Sequence, residues 1–187
     1  MRATKILSTD QELVTRFLAA LGRGLVIAGR GRSARPGFFI FASNFIREYL
    51  EPDYFKKEDV LLKALIDGGF PADEGPVGAM RLEHEKSREI SQVLYDAAKA
   101  WQGGDEGARA EVVWATSEYT DIMRHHFERL RTLINPLLDQ TVTAQDEQRI
   151  AEQLTLIEFA DREAEGTEKY IKIVQMLEEE ASDWESH

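Results

Sequence analysis

Apolar residues recur along most of the chain at the three- and four-residue spacing of amphipathic helices. The first stripe of this kind consists of Leu13, Val14, Phe17, Leu18, Leu21 and Leu25. It follows the segment from Thr9 to Glu12, whose residue types are typical of a capping box at a helix start. The Gly- and Arg-rich stretch from Gly29 to Gly37 predicts a loop. The pattern therefore predicts a first helix between these two signals.

The rest of the chain shows the same periodicity, interrupted by Gly and Pro. A second helix is predicted from about Phe38 to Asp67, with a kink or a break at Pro52 because proline has no N–H to donate. Asn135 and Pro136 mark the end of the fourth helix or a kink within it. The other predicted helices cover about Val77–Trp101, Gly107–Leu133, Thr143–Glu165 and Glu168–Trp184.

Four long helices with short links predict an all-α fold, an up-down four-helix bundle. The segment from about residue 143 to residue 187 predicts an additional helical extension at the C-terminus. The chain has 187 residues, which is an ordinary size for one domain, so we expect a single domain over residues 1–187.

Charge and composition exclude several classes of function. The chain carries 34 acidic and 23 basic residues, a net charge of −11, which argues against nucleic acid or an anionic membrane as a partner. It contains no Cys, which removes disulfides, thiolate metal sites and Cys nucleophiles. The first residues do not look like a secretory signal, and no apolar run could span a bilayer, so we expect a soluble cytoplasmic protein.

Two histidines stand on the inward stripes of neighbouring predicted helices. These are His84 on the third helix and His126 on the fourth. Imidazole nitrogens from facing bundle helices can converge on one cation, and Glu58 on the second helix could add a carboxylate. Tyr54 shares a helix face with Glu58, four residues away. For any one of these histidines, a core position satisfied by a carboxylate or carbonyl is the simpler interpretation, but two aligned histidines favour a metal site.

The segments around these residues resemble a known family. Phe45–Leu65, the glycine- and proline-containing link at 69–78, and Glu83–Glu85 followed by Arg88 are similar to the hemerythrin-type HHE cation-binding domain. The resemblance extends from about Asp10 to Tyr170. It implies a hemerythrin-like bundle with a non-heme diiron centre that binds oxygen, nitric oxide or peroxide, or senses iron.

The resemblance also assigns ligand positions. His84, His126 and Glu58 match ligands of the family, the family's second-helix His corresponds to Tyr54, and its first-helix His corresponds to Gln11. By this resemblance, the candidate metal ligands are His84, His126, Glu58, Tyr54 and Gln11.

The family's acidic ligand after the fourth-helix His falls on Leu130 or Arg131, neither of which is acidic. Two His and one carboxylate suit a mononuclear Fe(II) site, and a Tyr54 phenolate would suit Fe(III). Alternatively, an inward Arg131 would pair with Glu58 and replace the charge of the metal. One iron ion, two ions and none are therefore all open.

Three functions follow from these alternatives. The first is a non-heme iron protein that binds or senses oxygen, nitric oxide or peroxide. The second is a metal-free scaffold or interaction module that keeps the fold and acts on an unknown protein partner. The third is an iron-dependent redox enzyme that consumes peroxide or nitric oxide, although no substrate pocket can be argued from the sequence.

Overall fold

Helices make up most of the computed structural model, which describes residues 7–30, 34–163 and 168–185. Helix α1 is Ser8–Gly29, α3 is Gly75–Gln102, α5 is Ala144–Glu163 and α6 is Glu168–Glu185. Helix α2 has three consecutive parts, α-helical Pro36–Phe45, π-helical Ile46–Tyr54 and α-helical Phe55–Asp67. Helix α4 is built in the same way from Ala108–Arg129, a π-helical Leu130–Ile134 and Asn135–Thr141.

The start of α1 differs from the predicted capping box. The N-cap position is Leu7, no side chain caps the helix, and Thr9 lies within the first turn. Leu7 is buried, and the next turn directs Asp10 inward, where Tyr49 and Lys57 donate hydrogen bonds to its carboxylate over 2.8 and 2.9 Å. The capping-box prediction was wrong because burial of Leu7 and the Asp10 ion pair fix the helix start.

Helix α2 passes through Pro52 without a break. Pro52 has no backbone N–H, so it cannot donate the hydrogen bond that an α-helix requires at this position. The nine residues Ile46–Tyr54, which include Pro52, form the wider π-helical turn instead. The carbonyl of Glu48, four residues before Pro52, accepts a hydrogen bond of 3.0 Å from the Tyr170 hydroxyl of α6. The expected irregularity at Pro52 is therefore a π-helical segment that keeps α2 continuous.

Short turns connect the helices of the bundle. Gly69 and Gly104 follow α2 and α3 with φ of 100° and 103°, a backbone conformation that favours glycine. A Cβ added at Gly78, in the first turn of α3, would lie 2.4 Å from the backbone of Asp73, so only glycine fits there. These glycines allow the tight links that the sequence predicted.

Helices α1 to α4 form the predicted up-down bundle. Helix α3 packs on α2 and α4, and α1 packs on α4 and α2. Helix α6 covers the groove between α1 and the first part of α2, and α5 packs on the last part of α2. The all-α bundle with an added C-terminal helix is thus confirmed. None of the described helices combines the length and the apolar character that crossing a membrane requires.

Candidate metal centre

Glu58, His84 and His126 meet at one point in the core between α2, α3 and α4. Oε2 of Glu58 lies 3.0 Å from Nε2 of His84 and 2.8 Å from Nε2 of His126. The three side chains are at most 3% exposed, and one potential ligand atom from each lies within 4.8 Å of the others. The structure thus brings together three of the five residues predicted as metal ligands.

The position of Glu58, His84 and His126 in the core follows from their helical phase and from the packing of aromatic rings around them. Each residue stands on the inward stripe of its helix, so three neighbouring helices direct one polar side chain each to the same layer. The Phe55 ring stacks on the His84 imidazole with centroids 4.0 Å apart, and Phe127 packs edge-on against His126 at 5.6 Å. These apolar walls shield the imidazoles from bulk solvent and strengthen the electrostatic interactions inside.

The second ring nitrogen of each histidine, Nδ1, faces one further carboxylate. Nδ1 of His84 lies 3.4 Å from Asp59 Oδ1, and Nδ1 of His126 lies 3.3 Å from Glu83 Oε2. Arg129 holds Glu83 in place through two hydrogen bonds of 3.2 and 3.1 Å. Sequence analysis missed both carboxylates, although Asp59 directly follows Glu58 and Glu83 directly precedes His84.

The pKa values reflect this alternating row of acids and imidazoles. Burial alone would raise the pKa of Glu58, but His126 and His84 lower it to about 2. Burial alone would lower the pKa of His126, but Glu58 and Glu83 raise it to about 9. The pKa of His84 is also raised, because its contacts with Asp59 and Glu58 outweigh its burial. In the metal-free protein, an ionised Glu58 therefore lies between imidazoles that favour the protonated form.

Tyr54 and Gln11 lie next to this group. Tyr54, the last residue of the π-helical segment of α2, is fully buried. Burial and the adjacent Glu58 raise its pKa well above the usual value, and the half-buried Gln11 of α1 acts in the opposite direction. Tyr54 therefore lies beside the Glu58 carboxylate, and Gln11 lies beside Tyr54. Whether either binds a metal stays a prediction.

Four buried polar atoms at this point have no hydrogen-bond partner among the described residues. Oε2 of Glu83 and Nδ1 of His126 face each other over 3.3 Å, and the other two atoms are the Tyr54 hydroxyl and Oε1 of Glu58. Buried polar atoms are nearly always satisfied, so the lack of a partner for these last two indicates room for a ligand such as a metal ion or water.

Arg131 does not take the place of a metal. Its side chain is 72% exposed and bonds Glu128 on the surface over 2.8 Å. The π-helical turn that follows Arg129 directs the apolar Leu130 inward instead. The alternative in which Arg131 pairs with Glu58 is therefore wrong, and Leu130 brings no anionic ligand from α4.

The donor set fits one transition-metal ion. Two imidazole nitrogens and one carboxylate oxygen leave several coordination positions open. Among the residues that the structure describes, those left for a second ion are Oε1 of Glu58, the Tyr54 hydroxyl and the Gln11 amide, a set with little anionic charge. The residues present therefore fit a single ion better than a pair.

Comparison with known proteins agrees with this geometry. No curated protein and no solved structure gave a significant match. The family model of the hemerythrin HHE cation binding domain matches residues 3–138, which include α1 to α3, all but the last three residues of α4, and all five predicted ligands. The match covers most of the chain, and the buried Glu58–His84–His126 group could hold a metal, as expected of a cation-binding family. This chain belongs to the hemerythrin HHE cation-binding domain family.

Proposed function

We propose that this protein binds a single non-heme iron ion through Glu58, His84 and His126 and uses it to bind or sense oxygen, nitric oxide or peroxide. The observation that carries the proposal is the convergence of one carboxylate oxygen and two Nε2 atoms in a fully buried layer. A bound iron would supply a redox-active Lewis acid with coordination positions left for a small ligand.

The chain's own residues prepare this site. Asp59 and Glu83 face the Nδ1 atoms, so the Nδ1 protons stay there and the Nε2 lone pairs are available for a metal. Phe55 and Phe127 shield the imidazoles from solvent. Tyr54 places a phenol hydroxyl beside Glu58, where it can add a ligand or donate a hydrogen bond.

Metal content tests the proposal directly. Protein purified without chelators and then exposed to Fe(II) without oxygen should contain about one iron per chain by elemental analysis, the count that one ligand set supports. His84→Ala and His126→Ala should lose the iron. His125→Ala is the matched control, because His125 is exposed and its Nδ1 lies 2.8 Å from the Asp121 carbonyl. Iron-free wild-type protein, or iron retained by His126→Ala, would contradict the proposal.

The charge balance of the same site favours a second candidate, a metal-free scaffold. The row Asp59, His84, Glu58, His126 and Glu83 alternates in sign once both imidazoles are protonated, so it can be stable without an ion. A scaffold of this kind would act through a protein partner. It predicts that Fe(II) does not shift the melting temperature, whereas a metal that binds only the folded state must raise it.

A further inference from the structure

A second set of polar residues lies in the core of the same three helices. Glu51 of α2, Ser91 of α3 and Tyr119 of α4 each stand seven residues from the proposed metal ligand of their own helix. Helix α3 runs antiparallel to α2, as the pairs Glu58–His84 and Glu51–Ser91 show, and antiparallel to α4, as the pairs Arg129–Glu83 and Tyr119–Ser87 show. The three displacements therefore point in the same direction, and two helical turns span about 10 Å. Together with Ser87, one turn after His84, these residues form what we call the polar layer.

One end of the polar layer reaches the surface. Ser91 is buried and its hydroxyl donates a hydrogen bond of 2.6 Å to Oε1 of Glu51. Glu51 lies in the π-helical segment of α2 and is partly exposed. A carboxylate in contact with solvent therefore connects to a hydroxyl inside the bundle.

The inner part of the polar layer contains unsatisfied hydroxyl groups. Ser87 Oγ and Tyr119 Oη are completely buried and have no hydrogen-bond partner in the described part of the chain. Burial is the main cause that raises the pKa of Tyr119, the charge of Glu51 raises it further, and the neighbouring Ser87 hydroxyl acts in the opposite direction. A buried hydroxyl without a partner loses its hydrogen bonds to water and gains none in return, which makes a dry arrangement unfavourable.

Some hydroxyls of the bundle satisfy themselves within their own helix, although Thr116 Oγ1, like Ser87 Oγ and Tyr119 Oη, is buried without a partner among the described residues. Ser43 is equally buried, and its hydroxyl donates to the Phe39 carbonyl of its own helix over 2.7 Å. Thr120 likewise bonds the carbonyls of Thr116 and Ser117. A serine in these helices can thus satisfy itself locally, and Ser87 does not.

The unsatisfied atoms mark a direction through the bundle. Ser87 lies on α3 between Ser91, which bonds Glu51, and His84 of the metal centre, where the Tyr54 hydroxyl and Oε1 of Glu58 are unsatisfied. Internal water occupies polar sites of this kind, typically with two to four protein partners.

We propose that the polar layer holds a file of internal water that connects the surface at Glu51 with the centre at Glu58. It gives water, protons and small hydroxylic molecules such as hydrogen peroxide a hydrophilic route into an otherwise apolar bundle. The destination of the route rests on the proposed function, whereas the water itself does not.

A high-resolution crystal structure of the full chain tests the water independently of iron. Ordered water should be bound to Ser87 Oγ and Tyr119 Oη and should continue to the Tyr54 hydroxyl. In Ser87→Ala the water nearest position 87 should disappear, and in the matched control Ser43→Ala the file should be unchanged. A dry polar layer in the wild-type structure would overturn the proposal.

Stopped-flow kinetics of the iron-loaded protein tests the route. Ser87→Ala and Tyr119→Phe should slow the reaction of the ferrous protein with hydrogen peroxide by about fivefold, the effect of losing one typical hydrogen bond. The association rate of nitric oxide, which is apolar, should not change.

Equal peroxide rates in wild type and variants would overturn the route while leaving iron binding intact. Protein that takes up no iron would overturn the proposed function and the route's destination, and the crystal structure would still decide on the water.

Discussion

At the scale of single residues, the candidate metal centre depends on which imidazole nitrogen is free. Glu83 Oε2 lies 3.3 Å from His126 Nδ1, and Arg129 fixes the other oxygen of Glu83. A carboxylate in this position favours a proton on Nδ1 and leaves Nε2 to bind a metal. Asp59 has the same relation to His84, but more than half of its side chain is exposed, so we expect Glu83 to have the larger influence.

Glu83→Gln should weaken metal binding without removing a ligand. An amide in place of the carboxylate supports the Nδ1 proton less strongly, and the loss of a partner of this kind lowers metal affinity by about 10–100-fold. Competition with a chelator measures the affinity. Glu85→Gln is the matched control, because Glu85 is exposed on the same helix. Equal affinities of the two variants would show that Glu83 does not orient His126.

The Tyr54→Phe variant should show whether Tyr54 is a metal ligand or only an aromatic residue of the core. If Tyr54 binds ferric iron as a phenolate, the ferric protein should absorb visible light through charge transfer, and Tyr54→Phe should remove the band. The metal-free protein should lose little or no stability, since Phe keeps most of the volume and removes an unsatisfied hydroxyl. Tyr119→Phe should keep the colour. A Tyr54→Phe variant whose ferric absorption matches that of the wild type would exclude Tyr54 from the metal.

Sequence periodicity predicted the inward residues better than their partners. Glu58, His84 and His126 could be found because each stands on the apolar stripe of a regular helix. Asp59 and Glu83 lie beside the stripes, and which acid meets which imidazole depends on the offset between two helices, which periodicity within one helix does not define.

At the scale of helices, the two π-helical segments decide what reaches the centre. One ends at Tyr54 of α2, and the other begins at Leu130 of α4, four residues after His126. A π-helical turn contains more residues than an α-helical turn, so it changes the direction of the side chains that follow. Arg131 was considered as an inward residue only for a spacing one residue longer than regular after His126, and the structure places Leu130, four residues after His126, in the core instead. Pro52 signalled the irregularity in α2, and Pro136, two residues after the π-helical segment of α4, signalled the other, because neither proline can donate an α-helical hydrogen bond.

Tyr170→Phe should weaken the contact between α6 and α2. The Tyr170 hydroxyl donates to the Glu48 carbonyl next to the proline-containing turn, and its ring packs on Tyr49 with centroids 4.8 Å apart. Removal of the hydroxyl should lower the free energy of unfolding by about 0.5–1.5 kcal/mol, measured by urea denaturation. Tyr95→Phe, which keeps the ring that faces Arg47, is the control. A loss no larger than that of the control would mean that the π-helical turn needs no support from α6.

At the scale of the whole molecule, the core extends beyond the matched family domain. The match ends at residue 138, before α5 and α6. Helix α6 nevertheless buries Val174, Leu177 and Ala181 completely, and its Trp184 packs on Phe38 of α2 with centroids 5.0 Å apart. The sequence predicted α6 as an amphipathic helix, but a pattern within one helix does not name the groove that it covers.

Leu177→Ala tests whether α6 is part of the cooperative bundle or an appended helix. Leu177 is fully buried, and truncation of such a residue costs about 2–5 kcal/mol through lost burial and the cavity that remains. The matched control is Leu156→Ala on α5, where the side chain is 70% exposed and the change should stay within about 0.5 kcal/mol. If α6 belongs to the bundle, guanidinium unfolding of Leu177→Ala should remain a single transition at lower denaturant concentration, with the same midpoint by circular dichroism and by tryptophan fluorescence. A separate early transition, with the midpoint of the main transition unchanged, would instead show that α6 unfolds alone and that α1 to α4 are stable without it.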